Sequence, residues 1–399
     1  MTKLAETIQK FSEQIFPEVV EHYHWLHRHP ELSYREKLTS EYICHFLEVE
    51  NIPYRKNIGG YGILAWVEGL KSGKRKTLAF VADMDALPVQ EQNEVEYKSE
   101  NDGVMHACGH DVQSAAMMGA AKIVFSLRNE FSGTALFVFQ PGEEQSPGGA
   151  DLMLKDGVFR DFHPDFIVKQ HAYIDLPAGT VGFQVGTIMA SADEVHITVR
   201  GQGGHGALPH ELNDTVLAAS NIVVAMQQVV SRLRNPFNPM VLSFGKFIAN
   251  GATNVVPGAV TLAGSLRCMD EEERRRMLEA IPRIAKSTAD AYGCVCETVL
   301  PDGYPCVVND EVVNRKVRAK VVEYLGEAHV LEFPKRMTAD DFGFFSQLYP
   351  CCYYRFGVSG NSGKPGALHS DTFLIDESAL KTAVGTFAYI ALSSLSSND

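Results

Sequence analysis

The spacing of apolar residues changes character near Met189, and that change constrains the fold more than any other feature of the chain. Before it, short apolar runs alternate with stretches of helical spacing: GILAWVEG, TLAFVAD, the helical DVQSAAMMGAAKIVFSLRN, TALFVFQ, a helix around GGADLMLKDG, and DFIVKQHA. Strand, helix, strand, helix, strand implies a largely parallel sheet with helices on its faces. Beyond Met189, DEVHITVRGQ alternates polar with apolar residues, as a sheet with one solvated face does. A helix (213–234), two alternating strands (240–251 and 258–268), an acid-then-basic helix (270–293) and a last strand (294–300) follow. This β-α-β-β-α-β order is that of a split ferredoxin-like unit. We therefore expect an α/β chain in which 1–186 and 300–399 form one split domain and 187–299 an inserted α+β domain.

A chain of 399 residues exceeds a single hydrophobic core, in keeping with that division. Its net charge of -13 argues against a nucleic-acid partner, because phosphate binders concentrate Lys and Arg on one face. The basic cluster KSGKRK (71–76) reads as a solvated hairpin turn. The amino terminus, MTKLAETIQKFSEQIF, is amphipathic without a continuous apolar segment, and nowhere do about 18 apolar residues run together. We expect a cytoplasmic protein with no membrane association. Eight cysteines in a chain this long lack the density of a disulfide scaffold, so most are expected to be reduced core thiols.

In an open α/β sheet, ligands bind outside the carboxyl ends of the strands. Polar residues cluster after the apolar runs at several such places. After TLAFV come Asp83 and Asp85 in ADMDALP; ahead of the long helix come His106, Cys108 and His110 in MHACGHD; after TALFVFQ come Glu143 and Glu144 in PGEE. His171 follows FIVKQ, and His369 lies downstream in GKPGALHSDTF. Thiolate, imidazole and carboxylate at strand ends form a ligand set for a divalent transition metal, and a catalytic site also needs a carboxylate free to move a proton. Adjacent Glu143 and Glu144 cannot both point at one ion in an extended loop, so one can ligate while the other serves as base. A cysteine nucleophile with a histidine base, or a purely structural metal site, remain alternative readings of the same residues.

The motifs HRHPELSYRE, ADMDALP, HACGHD, QPGEE, GGHGALPH, NVVPG, GSLR, TADDFGFF and ALHSDTF, taken in order, resemble the M20 metallopeptidase family over nearly the whole chain. They look like its amidohydrolase branch, the aminoacylase, hippurate hydrolase and acetyl-diaminopimelate deacetylase type. The resemblance implies a zinc-peptidase-like catalytic domain, with the inserted domain serving as lid and dimerisation module of a homodimer. It implies two divalent ions (Zn, Mn, Co or Ni) held by Cys108, His110, Glu144, His171 and His369, with Glu143 as general base. Asp83 and Asp85 then orient ligands, and His106 supports rather than ligates. In the inserted domain, His205 matches a histidine that polarises the scissile carbonyl, and Asn254 and Arg267 match substrate-binding positions. The implied reaction is hydrolysis of an N-acyl amino acid, with a dipeptidase or carboxypeptidase as the alternative. Two departures stand out: Val81 precedes ADMDALP where the branch commonly has Arg, and QSPGGA follows the glutamates where relatives are Gly-rich.

Overall fold

The computed structural model describes residues 2–360 and 366–396. The chain divides into two compact units, Met1–Gly186 with Val308–Pro334 and Phe344–Asp399, and Thr187–Val307 with Lys335–Gly343.

The first unit is built on an eight-stranded mixed sheet. Its centre is four parallel neighbours in the order Thr134–Gln140, Thr77–Asp83, Phe166–Pro177 and Cys351–Ser359. The flanks turn antiparallel: the hairpin Tyr54–Ile58 and Gly62–Glu68 joins at one side, and Val181–Phe183, carrying Val330–Glu332, at the other. The central strands are buried almost without interruption, which is why they read as continuous apolar runs and not as alternating ones. Helices Lys3–Arg28, His110–Ser126 and Ala379–Ser396 pack on one another. Helix His110–Ser126 is enclosed on nearly every side, as its small apolar residues Ala115, Ala116, Ala120 and Ala121 permit. KSGKRK does not close a hairpin as expected, because Gly62–Glu68 and Thr77–Asp83 are separated in the sheet by Thr134–Gln140. It is a crossover connection, exposed over most of its length.

The second unit carries a four-stranded antiparallel sheet in the order Met240–Ala249, Ala259–Cys268, Asp193–Arg200, Val295–Val299. With helices Thr215–Gln228 and Glu271–Asp290 this is the ferredoxin-like arrangement. Alternate residues Val195, Ile197 and Val199 face a core completed by Ala219, Ile222, Met226, Met277 and Ile281. Both helices are capped by an aspartate, Asp214 accepting from the Leu217 N–H and Asp270 from the Glu273 N–H. The stretch Thr215–Leu233 is long and apolar enough in composition to cross a membrane, but its Ala218, Ala219, Ile222, Met226 and Val229 are buried in this core.

The unit boundaries differ from the sequence reading at two places. Residues 300–307 stay with the second unit because Ala192 and Tyr304 exchange both backbone hydrogen bonds at 2.9 Å and the Cys306 N–H donates to Glu271 Oε2. Residues 335–343 belong there too, tied by Arg336 N–H to the Ile188 carbonyl and Ala190 N–H to the Thr338 carbonyl. Such single backbone bridges leave no periodicity in the sequence. All eight cysteines are free, and Cys351 and Cys352 are buried strand residues.

Candidate metal centre

The carboxyl ends of the parallel strands bring the predicted donors together. Thr77–Asp83 ends on Asp83 and leads to Asp85; the turn ahead of helix His110–Ser126 supplies Cys108 and the helix begins on His110; the loop after Thr134–Gln140 carries Glu143 and Glu144; Phe166–Pro177 carries His171. His369 sits in left-handed backbone at φ 67°, and its N–H donates to the Ala107 carbonyl at 2.8 Å, tying its loop to the Cys108 turn.

The donor atoms form overlapping groups, each within 4.8 Å: Cys108 with His110 and His171, Cys108 with Glu144 and His369, and His110 with Glu143 and Glu144. The sulfur of Cys108 thus stands between two sets of nitrogen and oxygen donors. The two glutamates both reach the cluster because the loop is not extended: Gly142, at φ 62°, turns it in a conformation that side chains rarely adopt. Glu143 Oε2 lies 4.0 Å from His110 Nε2, and Glu144 Oε1 lies 3.3 Å from His369 Nε2.

Hydrogen bonds behind the histidines set their tautomers. His110 Nδ1 faces only acceptors, the Asp85 carbonyl at 2.9 Å and Asp85 Oδ1 at 3.1 Å, so it carries a proton and turns Nε2 inward; burial acts to lower this imidazole, but Cys108 and Asp85 raise it well above its ordinary range, which marks a ring set among negative groups. That buried Nε2 has no hydrogen-bond partner. His171 Nδ1 faces the Ala172 carbonyl at 2.9 Å, so its Nε2 carries the lone pair and accepts from Cys108 Sγ at 3.5 Å. Burial, then the Arg355 charge, holds the His171 imidazole well below its ordinary range, hence neutral. His369 is pushed up to about 10 by hydrogen bonding to Cys108 and Glu144, a sign of excess negative charge around it. Burial acts to raise the Asp85 carboxyl, but hydrogen bonds from His110, the Glu144 N–H and Ser33 hold it below the usual range. A thiol, three imidazoles, two of them oriented by acceptors behind the ring, and a pair of carboxylates are a donor set suited to divalent transition metals.

His106 is buried with neither ring nitrogen hydrogen-bonded, and burial lowers it to about 4; it joins none of the donor groups among the described residues. In the second unit, His205 and Asn254 are exposed neighbours on a short two-stranded ribbon, where His205 pairs with Val255 and the Gly206 N–H donates to the Asn254 carbonyl. Arg267 lies near the other end of Ala259–Cys268, paired with Val241. Sequence reasoning missed Lys169, whose Nζ lies 2.6 Å from Asp83 Oδ2 with both side chains fully buried. Its signal is a lysine inside the apolar run DFIVKQHA, two residues before His171 and on the same face of the strand. Val81 is its register partner in the neighbouring strand.

Residues 79–393 match peptidase family M20/M25/M40. The chain is 37% identical over 309 residues to an N-acyl-L-amino acid amidohydrolase of Geobacillus stearothermophilus, spanning 77% of this chain and 82% of that protein. It is 33% identical to thermostable carboxypeptidase 2 of Saccharolobus solfataricus, over 98% of both. Among solved structures, a Bacillus subtilis protein described as a dinuclear metal binding peptidase from the M20 family superimposes with a TM-score of 0.82 at 30% identity, covering 96% of this chain and 99% of that one. With the family matched over most of its length and relatives aligned nearly end to end, the chain belongs to peptidase family M20/M25/M40.

Proposed function

We propose that the protein is a metal-dependent amidohydrolase that cleaves N-acyl amino acids to a free amino acid and a carboxylic acid. Cys108, His110, Glu144, His171 and His369 would hold two divalent ions. When bound, such ions lower the pKa of a coordinated water from 15.7 towards about 7 and polarise a carbonyl as Lewis acids. Glu143 then takes the proton of the attacking water and returns it to the leaving amine, a role that fits a mostly buried carboxylate beside His110. His205 donates to the carbonyl oxygen as negative charge develops there, while Asn254 and Arg267 bind the substrate's polar groups. The assembly is a homodimer formed through the inserted unit.

The observation that carries this reading is the orientation of His110 and His171, each with its outer nitrogen bonded to a protein acceptor and its inner nitrogen directed at the Cys108 cluster. A thiol hydrolase reading would leave that arrangement, and the second glutamate, without a role. The kinship to a carboxypeptidase keeps peptide cleavage as the second reading. The test is a panel of N-acetyl, N-benzoyl and peptide substrates assayed with metal content measured on the same sample. Hydrolysis lost on chelation and restored by metal supports the proposal. Chelator-resistant turnover, or an acyl group trapped on Cys108, overturns it. Preference for unblocked dipeptides moves the assignment to the second reading.

A further inference from the structure

The loop bearing Glu143 and Glu144 is held from outside the donor cluster by a short segment near the amino terminus. Glu36 is fully buried, and its Oε1 accepts two backbone N–H groups, Tyr34 at 2.8 Å and Gly142 at 2.7 Å. The Tyr34 hydroxyl donates to the Gln145 carbonyl and accepts from the Gly148 N–H at 2.9 Å. Ser33 Oγ donates to Asp85 Oδ2 at 2.7 Å, and the same oxygen accepts the Glu144 N–H at 2.9 Å. Polar backbone groups at four positions of the loop, 142, 144, 145 and 148, are therefore bound by side chains, where a surface loop ordinarily gives such groups to water.

Two further observations show that this contact is built. Tyr34 occupies left-handed backbone at φ 64°, a strained conformation for a bulky residue and one found where surrounding structure enforces it. Its ring packs on Gly142 so closely that a Cβ there would sit 2.2 Å from a ring carbon. Burial, with the Asp85 charge second, pushes the Glu36 carboxyl up to about 7.

We propose that Glu36 and Tyr34 are positioning residues that clamp the Gly142–Gly148 loop and so aim the carboxylate of Glu143 at the donor cluster, while Asp85 separately holds the Glu144 N–H. The inference rests on the reading of Glu143 as proton shuttle and Glu144 as ligand. Neither clamp residue touches the reacting atoms in this scheme; each acts through the loop backbone.

The experiment compares Glu36→Leu, Glu36→Gln and Tyr34→Phe as full-length, metal-reconstituted enzymes, reading kcat, KM, bound metal and thermal midpoint, with Glu143→Gln alongside. A misplacement of about 1 Å at a reacting group can lower rate roughly 10²-fold, so Glu36→Leu should lose about that much in kcat with KM and metal content unchanged. Glu36→Gln keeps an acceptor oxygen for both N–H groups and should recover most of the rate; Tyr34→Phe should lower kcat in the same sense. The clamp is overturned if Gln rescues no better than Leu, if metal is lost in step with kcat, or if Tyr34→Phe turns over at the full rate. Should Glu36→Leu fail to fold, Glu36→Gln and Tyr34→Phe still decide the matter. An active Glu143→Gln removes the underlying base assignment, whereas an inactive one beside a fully active Tyr34→Phe removes the clamp alone.

Discussion

Lys169 and Asp83 form an ion pair at 2.6 Å with no solvent exposure on either side chain. Asp83 Oδ2 is also 3.7 Å from His110 Nε2, so the pair lies against the donor cluster. A buried carboxylate there without a cation would draw a proton onto that ring nitrogen and raise His110 further. Lys169 supplies the compensating charge from the adjacent strand, opposite Val81.

Breaking a buried pair by removing one partner typically costs about 3–5 kcal/mol, because the remaining charge is left in a poorly solvating interior. Lys169→Met should destabilise the protein by about that amount. Removing the stranded charge as well, in Lys169→Met with Asp83→Asn, should recover a large part of the loss. Urea denaturation of the two variants and the parent checks both halves of the expectation. Equal destabilisation in single and double variants would mean that the charge of Asp83 is not what Lys169 stabilises.

A second buried network governs pH dependence. His27 Nδ1 lies 2.7 Å from Asp111 Oδ2 and its Nε2 3.1 Å from Glu91 Oε1. Burial pulls His27 down, but these two carboxylates outweigh it and raise the imidazole to about 9. A folded value above the unfolded one, near 6.5, means that the stabilisation is complete below about pH 6.5 and disappears as pH rises through about 9. Denaturation midpoints should therefore decline across that window, and His27→Gln should flatten the decline while lowering stability at pH 6. A profile unchanged by the substitution would show that His27 is not the titrating group.

Much of this architecture was legible because burial leaves a pattern. The central strands are enclosed on both faces and read as apolar runs, the ferredoxin-like strands are half solvated and alternate, and the donors follow strand ends in sequence order. What stayed hidden depends on single contacts. The Ala192–Tyr304 bridge and the backbone ties of 335–343 have no period, so the sequence carries no signal of the unit these segments pack with. The convergence of Glu143 and Glu144 depends on one left-handed glycine, and the contacts of Glu36 and Lys169 join segments far apart in the chain. HRHPELSYRE marked Glu36 as part of a motif without indicating what it would touch.

Glu143 and Glu144 can be separated by what each retains. Glu143→Gln should bind both ions yet lose roughly 10²- to 10⁴-fold in rate, the usual effect of losing a general base. Glu144→Gln should lose metal first, since Glu144 pairs with Cys108 and His369 in one donor group. Metal analysis and kcat on the same preparations distinguish them. The reverse pattern, metal loss from the Glu143 variant and metal retention by the Glu144 variant, exchanges their roles.

His205 tests the contribution of the inserted unit. Its Nδ1 accepts the Ala207 N–H at 3.1 Å, which leaves Nε2 as the outward nitrogen of an exposed ring. That bond places the proton on Nε2, the tautomer able to donate to a carbonyl oxygen. If donation strengthens only as charge develops on that oxygen, His205→Ala should lower kcat and kcat/KM by similar factors and leave metal content unchanged. Loss of one such donor commonly costs about 10²- to 10³-fold in kcat. A rise in KM at constant kcat would instead mark His205 as a ground-state binding group. Full activity in the variant would remove it from the mechanism, while His205→Gln, which keeps a donor on a shorter side chain, should fall between the two.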